Sequence, residues 1–424
     1  MQVQHRIPSE IKQGIAKSLA GPSALWKAAM LGMFGVVPFG SSLFGLLVLL
    51  VERPLTWFRH GMHRTESQQN SMSMWTIRFF LMLLAIAVIG SLFSQQPGNA
   101  LLTTTGTALA FCLLISGGME SRRSFAFITG VCLPVITIAG LISSLLNIVR
   151  YFYYHMDRVY NIIPQNPNAT GTMIIITVGL SLVYFLRQKG YRPYLAFPYL
   201  LVIGANLMLT RSRGALLGFG AMLVVITLFR RRLIATMLIL ILLAGVVLTI
   251  APTLSERLRD DTSLFQRIEI WRTTIRMIKD HPIFGVGAGQ YKSHFNEYID
   301  PTSPDRDTVF AHNLFLQVAA EFGLAGLLVF CAIIALILAM GFRLGRTGNI
   351  VYQGLFATTV GVLVHMQFDN TIWGLDIGGA FWIMIGMIMG FYRSEYGKKS
   401  AHSNVPGEGA RDEGRARRFE AELR

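Results

Sequence analysis

Residues 312–341 read HNLFLQVAAEFGLAGLLVFCAIIALILAMG, and this stretch decides the fold. Between Leu314 and Gly341 only Glu321 is charged. About 20 consecutive, mostly apolar residues are enough for an α-helix to cross the hydrocarbon core of a bilayer. The stretch therefore predicts a transmembrane helix whose polar residues are gathered near its first turns.

The composition extends this prediction to the whole chain. Of 424 residues, 52% are hydrophobic and 14% are charged, whereas a soluble domain carries roughly a quarter charged residues. The net charge of +15 falls in short loops between apolar runs and not on one soluble face, so we expect no nucleic-acid partner. Cys112, Cys132 and Cys331 lie inside apolar runs without C-x-x-C spacing, which indicates packing and not a disulfide or zinc site.

The apolar runs predict an all-α polytopic membrane protein with about twelve transmembrane helices. The first two runs are short and are divided by residues 37–40, so they form either two spans or one broken helix. The predicted spans are 25–37, 38–52, 75–94, 100–117, 124–149, 169–186, 192–210, 213–229, 233–251, 312–341, 350–367 and 374–392. The predicted organisation is a cytoplasmic N-terminus at 1–24 without a cleavable signal peptide, helices 1–9 in 25–251, a periplasmic loop at 252–311, helices 10–12 in 312–392, and a basic, disordered cytoplasmic tail at 393–424 that contacts membrane lipid.

The Lys and Arg residues of the loops set the orientation in the membrane. With a cytoplasmic N-terminus, basic residues gather in the inside loops, while the outside segments 95–99 and 368–373 contain none. The inside loops hold Arg53, Arg59, Arg64, Arg122, Arg123, Arg187, Lys189, Arg192, Arg230, Arg231, Arg232, Arg343 and Arg346. The long segments 150–168 and 252–311 then face outside, and we expect any active site on that side of the cytoplasmic membrane.

The second of these long segments contains an amphipathic helix. Its apolar stripe repeats at spacings of three and four, and its cations lie off that stripe, as in a helix that rests at a membrane interface. The stripe consists of Leu264, Ile268, Trp271, Ile275 and Ile278, and the cations are Arg267, Arg272, Arg276 and Lys279. An ordinary interfacial helix explains this pattern on its own, so a phosphate-binding role depends on the motifs around it.

Two arginines, Arg211 and Arg213, lie in a tight turn between two predicted spans. Charges close to hydrocarbon are costly unless they have a partner or a function, and positive charge outside opposes the usual topology. Because the guanidinium group matches phosphate oxygens in a bidentate manner, the turn favours binding of a lipid diphosphate. The structural alternative is an ion pair with an acidic neighbour such as Glu321 or Asp369.

His312 begins the tenth predicted span, beside Asn313 and within two turns of Gln317. A neutral imidazole at such a boundary is suited to accept a proton from a hydroxyl group. A purely structural histidine is the alternative. Other histidines compete for the role but have less polar company at a span end in the sequence, namely His155, His281, His294 and His365.

Other motifs have plainer interpretations. Gly285, Gly287 and Gly289 form G-x-G-x-G outside any β-α-β unit, so they predict a turn that brings the loop backbone close to another surface and not a dinucleotide site. Asp305 and Asp307 have the D-x-D spacing of a metal-binding glycosyltransferase motif, but such pairs are common in loops and we predict no metal site. The Asn-Pro-Asn run at 166–168 predicts a turn and a helix cap.

Several short motifs follow one another between about residues 165 and 330. They are TRSRGALLGF (210–219), QRIEIW (266–271), GVGAGQY (285–291), HNLFLQ (312–317) and EFG (321–323). In this order, and with this predicted topology, they resemble the O-antigen ligase/polymerase (Wzy-type) superfamily, in particular its lipopolysaccharide ligase branch. Each motif is short, so the resemblance depends on their joint occurrence.

The resemblance implies a GT-C-like glycosyltransferase in the inner membrane of a Gram-negative bacterium. It implies transfer of a glycan from undecaprenyl diphosphate to a sugar hydroxyl of lipid A–core on the periplasmic face, with inversion and without a metal or other cofactor. In this scheme His312 is the general base and Arg213 and Arg267 bind the diphosphate. The remaining implied substrate contacts are Arg211, which could even replace Arg213 as the main phosphate ligand, Asn313, Gln317, and Asp369, which could also orient His312 or pair with an arginine.

Three other functions fit parts of the same pattern. An O-antigen polymerase shares the donor and the chemistry but lengthens the lipid-linked glycan. A protein O-oligosaccharyltransferase modifies Ser or Thr, but such proteins often carry a periplasmic domain after the last span. A transporter of lipid-linked sugars should have repeated halves and polar residues near mid-membrane, whereas here the charges lie at the outer edge, which favours an enzyme.

Overall fold

The computed structural model describes residues 71–120, 125, 128–161, 166–230, 262–371 and 377–403. Within these ranges the chain is helical and contains no β-strand. Its α-helices are α1 Ser71–Leu92, α2 Pro97–Glu120, α3 Leu133–Tyr153, α4 Pro167–Leu186, α5 Ala196–Leu209, α6 Arg213–Phe229, α7 Thr262–Asp280, α8 Tyr291–Tyr298, α9 Leu314–Gly345, α10 Ile350–His365 and α11 Ile377–Ser403. A π-helical turn, Ile128–Cys132, leads into α3.

The described helices confirm a polytopic membrane protein. Six segments are long and apolar enough to span a bilayer, and α6 and α10 are shorter apolar helices. The six segments are Met72–Leu92, Ile128–Tyr153, Pro167–Leu186, Arg192–Leu209, Leu314–Gly345 and Ile377–Tyr396. The predicted spans 25–37, 38–52 and 233–251, the N-terminus 1–24 and residues 404–424 of the tail lie outside the described residues, so the total of twelve helices stays a prediction.

The last helix is longer than its predicted span of 374–392. It continues to Ser403, so the first part of the predicted disordered tail is helical. Tyr396 donates a hydrogen bond to the carbonyl oxygen of Arg343 at 3.1 Å, and Glu395 accepts one from the Tyr352 hydroxyl at 2.9 Å. These contacts join the extra turns to α9 and α10. The polar sequence of this segment does not show them, because the partners lie far away in the chain.

Close helix packing brings α6 against α10. Gly218 on α6 faces the backbone of α10, and a β-carbon at this position would lie 2.5 Å from the carbonyl oxygen of Gly361. Without a hydrophobic driving force between helices in lipid, small residues allow the close backbone contact that replaces it. The end of α10 is thereby fixed beside the first turns of α6.

The two ends of the bundle carry different polar groups. At one end Arg230 donates hydrogen bonds to Gln353 Oε1 and to the carbonyl oxygen of Gly348, at 2.7 and 2.6 Å. At the opposite end α4, α6 and α9 all begin, each with a side-chain cap, from Asn166, Ser212 and Asn313 respectively. Helix N-termini carry partial positive charge and favour anions.

The glycine motif forms the predicted turn, and it packs against a break in α9. Gly323 has a non-helical backbone (φ 68°), which frees the carbonyl groups of the preceding turn. Those of Ala320 and Glu321 accept hydrogen bonds from the backbone N–H groups of Val286 and Gly287, at 2.9 and 3.1 Å. The loop after α7 is therefore held against α9 by backbone hydrogen bonds.

The amphipathic helix is present as α7, but its protein-facing side differs from the predicted stripe. Ile270, Thr274 and Met277 are buried, whereas Leu264 and Ile275 of the stripe are 43% exposed. The stripe does not mark the protein-facing side, because apolar residues facing lipid and apolar residues facing protein look alike in sequence. Arg267 precedes Ile270 by three residues and so lies near the protein-facing side.

Replacement of Gly285 tests the contact between the glycine turn and α9. In Gly285→Ala the new β-carbon would lie 2.5 Å from the carbonyl oxygen of Ala320, at a φ of +71°. Left-handed strain of about 1–2 kcal/mol adds to overpacking of about 1–3 kcal/mol. We expect the apparent melting temperature in detergent to fall by about 5 °C or more.

Gly190→Ala is the matched control, because Gly190 has a φ of +69° but no atom within 4 Å of the position that a β-carbon would take. The melting temperature of Gly190→Ala should fall only by the part that backbone strain causes. An equal fall for both variants would show that the contact with α9 contributes nothing.

Candidate functional site

His312 is held by hydrogen bonds on both sides of it in the chain. The backbone N–H of Ala311 donates to Gln317 Oε1 at 2.7 Å, and the carbonyl of Ala311 accepts from Trp271 Nε1 at 3.0 Å. On the other side, Asn313 caps α9 by accepting from the N–H groups of Phe315 and Leu316. Both neighbours of His312 are therefore fixed, one to α7 and the other to α9.

This anchoring forces an unusual backbone conformation on His312. Its φ is +48°, in the left-handed region that L-residues rarely occupy. Such a conformation costs roughly 1–2 kcal/mol and persists only where the surroundings over-determine it. The side chain is consequently directed by the backbone and remains about one-third exposed (32%).

The turn after α10 is joined to the first turn of α9. The N–H of Leu314 donates to the carbonyl oxygen of Met366 at 2.9 Å, and the Asn313 side chain donates to that of Gln367 at 3.2 Å. The two hydrogen bonds bring residues that are more than 50 positions apart in the chain to one place. Asp369, in this turn, thereby reaches His312.

Asp369 lies between two imidazole groups. Its Oδ1 is 3.7 Å from His312 Nδ1, and its Oδ2 is 3.9 Å from His365 Nε2. Burial raises the pKa of this carboxyl group, but the adjacent imidazoles of His312 and His365 lower it by more. The pKa of Asp369 therefore lies below its ordinary value. Asp369 therefore carries a negative charge although its side chain is only 5% exposed.

His365 is part of this group, although the sequence ranks it below His312. The sequence shows few polar residues near it, but the fold places Asp369 and Asn168 of α4 beside its imidazole. Its Nε2 lies 3.1 Å from the carbonyl oxygen of Asn168, a geometry in which the imidazole N–H donates. The side chain is fully buried. No local pattern reveals this, since Asn168 and His365 are 197 residues apart in the chain.

Arg213 is placed by the cap that begins α6. The Ser212 hydroxyl accepts from the N–H of Ala215 at 3.3 Å and donates to Asn168 Oδ1 at 2.8 Å. The N-terminus of α6, with Arg213 as its first residue, is therefore joined to the N-terminus of α4. These two helix ends and that of α9 surround the turn that holds Asp369.

Arg267 reaches the same place from α7. Its guanidinium group lies 5.9 Å from the ring centre of Phe368, in cation–π range. Burial lowers the pKa of Arg267, the carboxylate of Asp369 offsets part of this effect, and the like charge of Arg213 adds to it. Arg213 and Arg267 are therefore close enough to repel each other, and Asp369 is the carboxylate that acts on Arg267.

The other arginine of the turn, Arg211, points to a different helix. Its Nη2 donates to the hydroxyl of Tyr151 on α3 at 3.3 Å. Arg211 itself has a left-handed backbone, with a φ of +52°, and Ser212 between the two arginines is buried. The structure thus brings Arg213, but not Arg211, to Arg267.

The amide side chains predicted to contact substrate are engaged within the protein. Asn313 uses its oxygen in the cap of α9 and its nitrogen on Gln367, and Gln317 donates to Glu321 Oε1 at 2.9 Å as well as accepting from Ala311. Glu321, which the sequence offered as an ion-pair partner for the arginines of the turn, accepts this hydrogen bond from Gln317. These residues hold the loop that carries His312.

Of the remaining candidates from the sequence, His281 and His294 form a separate pair, and Asp305 and Asp307 do not form a set of metal ligands. His281 and His294 pack against each other, with ring centres 5.7 Å apart. Asp305 and Asp307 lie in a short 3-10 turn, and the described residues contain no group of three or more His, Cys, Asp or Glu that could hold a metal ion.

Several buried polar atoms of the site have no hydrogen-bond partner within the described part of the chain. Buried polar groups are normally paired, and each unpaired one costs about 1–3 kcal/mol. The unpaired atoms at this end of the bundle include His312 Nδ1, His365 Nδ1, Asp369 Oδ2, Arg211 Nε, and both Asn370 side-chain heteroatoms. With three helix N-termini, two arginines and an imidazole beside a carboxylate, the arrangement suits an anionic group next to a hydroxyl that loses a proton.

The comparisons with known proteins give a family match over part of the chain. Residues 198–331 match the family model described as O-antigen ligase, and this stretch holds Arg211, Arg213, Arg267 and His312. No curated protein matches the chain significantly. Residues 198–331, about a third of the chain, are therefore similar to the O-antigen ligase family.

Proposed function

We propose that the chain is a lipopolysaccharide O-antigen ligase of the inner membrane. It transfers a glycan from undecaprenyl diphosphate to a sugar hydroxyl of lipid A–core on the periplasmic face. The observation that carries this proposal is the meeting of His312, Asp369, Arg213 and Arg267 at one end of the bundle. The resemblance supplies the identity of the two lipids, and the geometry supplies groups for each part of the reaction.

The orientation is supported by the opposite end of the bundle. Arg187, Arg230 and Arg343 lie at helix ends away from the site, in or next to loops predicted to be cytoplasmic. Since Lys and Arg are retained on the cytoplasmic side, the site would face the periplasm.

The proposed base is the Nε2 nitrogen of His312. Its Nδ1 faces Asp369, so a proton taken up at Nε2 gives an imidazolium ion next to a buried carboxylate. The acceptor oxygen attacks C1 of the donor glycan as its proton passes to His312. The bond from C1 to the diphosphate breaks with its electron pair staying on the phosphate oxygen, and attack opposite this leaving group inverts the anomeric centre.

The proposed role of Arg213 and Arg267 is to stabilise the departing diphosphate. Two guanidinium groups held near each other repel, and a bound polyanion between them relieves that repulsion. Arg211 contacts Tyr151 instead and has no role in the proposed binding of the diphosphate. Because the diphosphate is a good leaving group and the arginines carry the positive charge, the proposed reaction needs no metal ion.

The first test is glycan transfer by purified protein from undecaprenyl-diphosphate glycan to lipid A–core. We expect wild type to form a ladder on the core and His312→Ala to be slower by about 10²–10⁴-fold, as for loss of a general base. His281→Ala is the control, because His281 packs against His294 away from the site.

Two results would contradict this proposal in different ways. Wild-type rates for His312→Ala would remove this residue from the mechanism. Lengthening of the lipid-linked glycan with an untouched core would identify a polymerase, which uses the same donor and the same chemistry.

The arginine pair is tested by Arg213→Ala and Arg267→Ala. Each should lower kcat by about 10²–10³-fold, the usual effect of losing one group that stabilises developing negative charge. The double variant should lose less than the product, because both groups act on one diphosphate. Arg272→Ala, on the exposed side of α7, is the matched control. A normal rate in either site variant, with normal protein levels, would exclude that arginine.

The role of Asp369 is tested by Asp369→Asn, which keeps the shape but removes the charge. Because the pKa of Asp369 is lowered, the wild-type carboxylate stays ionised between about pH 5 and 9. The variant should have a lower kcat throughout this pH range, because a proton taken up by His312 is no longer placed next to a carboxylate. Asp300→Asn, in an exposed loop, serves as control. A wild-type kcat in Asp369→Asn would exclude the charge of Asp369 from the reaction.

A further inference from the structure

Arg211 belongs to a second group of arginines. The N–H of Val159 donates to the carbonyl oxygen of Leu209 at 2.9 Å, which ties the segment after α3 to the end of α5. Arg158 Nε donates to the carbonyl oxygen of Thr210 at 2.9 Å, next to Arg211. Arg150, at the end of α3, donates to the carbonyl oxygen of Tyr160 at 3.2 Å. We call Arg150, Arg158 and Arg211 the outer arginine cluster.

Neutral groups contact Arg150 and Arg211. Arg150 donates to a carbonyl oxygen and Arg211 donates to the hydroxyl of Tyr151. In the part of the chain that the structure describes, neither Arg150 nor Arg211 forms an ion pair with a carboxylate. The positive charge of these two residues is therefore held at the outer end of α3 and α5, on the side where arginines are least expected.

Backbone strain is concentrated in the same region. Among the described residues, those other than glycine with positive φ are His155 (49°), Arg211 (52°) and His312 (48°). His312 is the proposed base, Arg211 belongs to the outer arginine cluster, and His155 lies between Arg150 and Arg158 in the chain. Left-handed residues that are not glycine are uncommon and gather at functional sites, where the surrounding structure holds them.

Aromatic side chains place the cluster at the depth of lipid headgroups. Phe152, Tyr153 and Tyr154, at the end of α3, are 65%, 74% and 65% exposed. Exposed aromatic residues at a helix end are typical of the boundary between hydrocarbon and water. The Arg150 guanidinium lies 5.8 Å from the ring centre of Tyr160. An anion bound here is therefore a headgroup anion, and phosphate matches the guanidinium donors.

We propose that the outer arginine cluster binds a phosphate group of the acceptor glycolipid, at a site separate from the one formed by Arg213 and Arg267. This inference rests on the proposed function, because it takes the acceptor to be a phosphorylated membrane lipid. Arg211 and Arg213 are two residues apart, with buried Ser212 between them. A lipid held by its phosphate at Arg211 would leave Arg213 and Arg267 to the donor diphosphate.

The test compares two acceptors, lipid A–core and the same lipid after enzymatic removal of its phosphates. For wild type we expect the KM for the dephosphorylated acceptor to be about tenfold higher at unchanged kcat, as for a contact made equally in ground and transition states. In Arg211→Gln, and in the triple variant Arg150→Gln/Arg158→Gln/Arg211→Gln, the KM for the phosphorylated acceptor should rise to the dephosphorylated value. The donor KM should not change.

The matched control removes three cations from the exposed side of α7, in Arg272→Gln/Arg276→Gln/Lys279→Gln. It should keep the preference for the phosphorylated acceptor. The single Arg211→Gln variant decides the matter if the triple variant does not fold. Each of three results would overturn the proposal: a wild type with the same KM for both acceptors, a raised donor KM in Arg211→Gln, or a control that loses the preference for the phosphorylated acceptor to the same extent.

Binding is measured independently of transfer, by native mass spectrometry of the protein with each acceptor form. Wild type should retain the phosphorylated form in preference, and Arg211→Gln should lose that preference. If wild type binds the phosphorylated acceptor in this way but transfers nothing to it, the proposed function fails and the binding site stands. Displacement by an equal concentration of phosphatidylglycerol would show a site for ordinary anionic lipid and would overturn the assignment to the acceptor.

Discussion

The hydrogen bonds that join the start of α9 to the turn after α10 are the constraint on which the site depends. They connect Leu314 with Met366 and Asn313 with Gln367. Without them His312 and Asp369 would lie at the ends of two separate helices. The same bonds fix the backbone on one side of His312, and Trp271 and Gln317 fix it on the other. A left-handed histidine is tolerated only where both sides are held.

The electrostatics of the site follow from this geometry. Three helix N-termini and two arginines surround the buried carboxylate of Asp369, so the positive charge next to it exceeds its single negative charge before any substrate binds. Such an arrangement is costly in the free protein, because Arg213 and Arg267 repel each other. Groups held in advance around developing charge need little reorganisation during the reaction, which is the usual source of electrostatic catalysis. In the proposed reaction the diphosphate is the anion that this excess of positive charge stabilises.

The sequence predicted the described helices well, because their boundaries are set locally. Apolar length defined α6 as 213–229, in agreement with the structure, and Asn166 and Asn313 mark helix starts by their capping oxygens. The candidate site residues could be named from the sequence because polar residues at membrane helix ends are few, and their roles stay predictions. Their partners could not be predicted, since the contact of His365 with Asn168 and that of Asp369 with His312 join distant parts of the chain. The side of α7 that packs against the protein could not be predicted either, because a sequence pattern does not distinguish lipid from protein as the apolar neighbour.

The separation of Arg211 from Arg213 also escaped the sequence, and it bears on how a two-substrate reaction between lipids could work. A turn with two arginines suggests one bidentate clamp, but Ser212 caps α6 and is buried, and Arg211 has a left-handed backbone. The two guanidinium groups consequently contact different helices, α3 in one case and the neighbourhood of α7 in the other. Two lipids that both carry phosphate repel each other, so a shared clamp would have to exclude one of them. In the proposed arrangement Arg211 binds the acceptor whereas Arg213 and Arg267 bind the donor, and this separation removes that conflict.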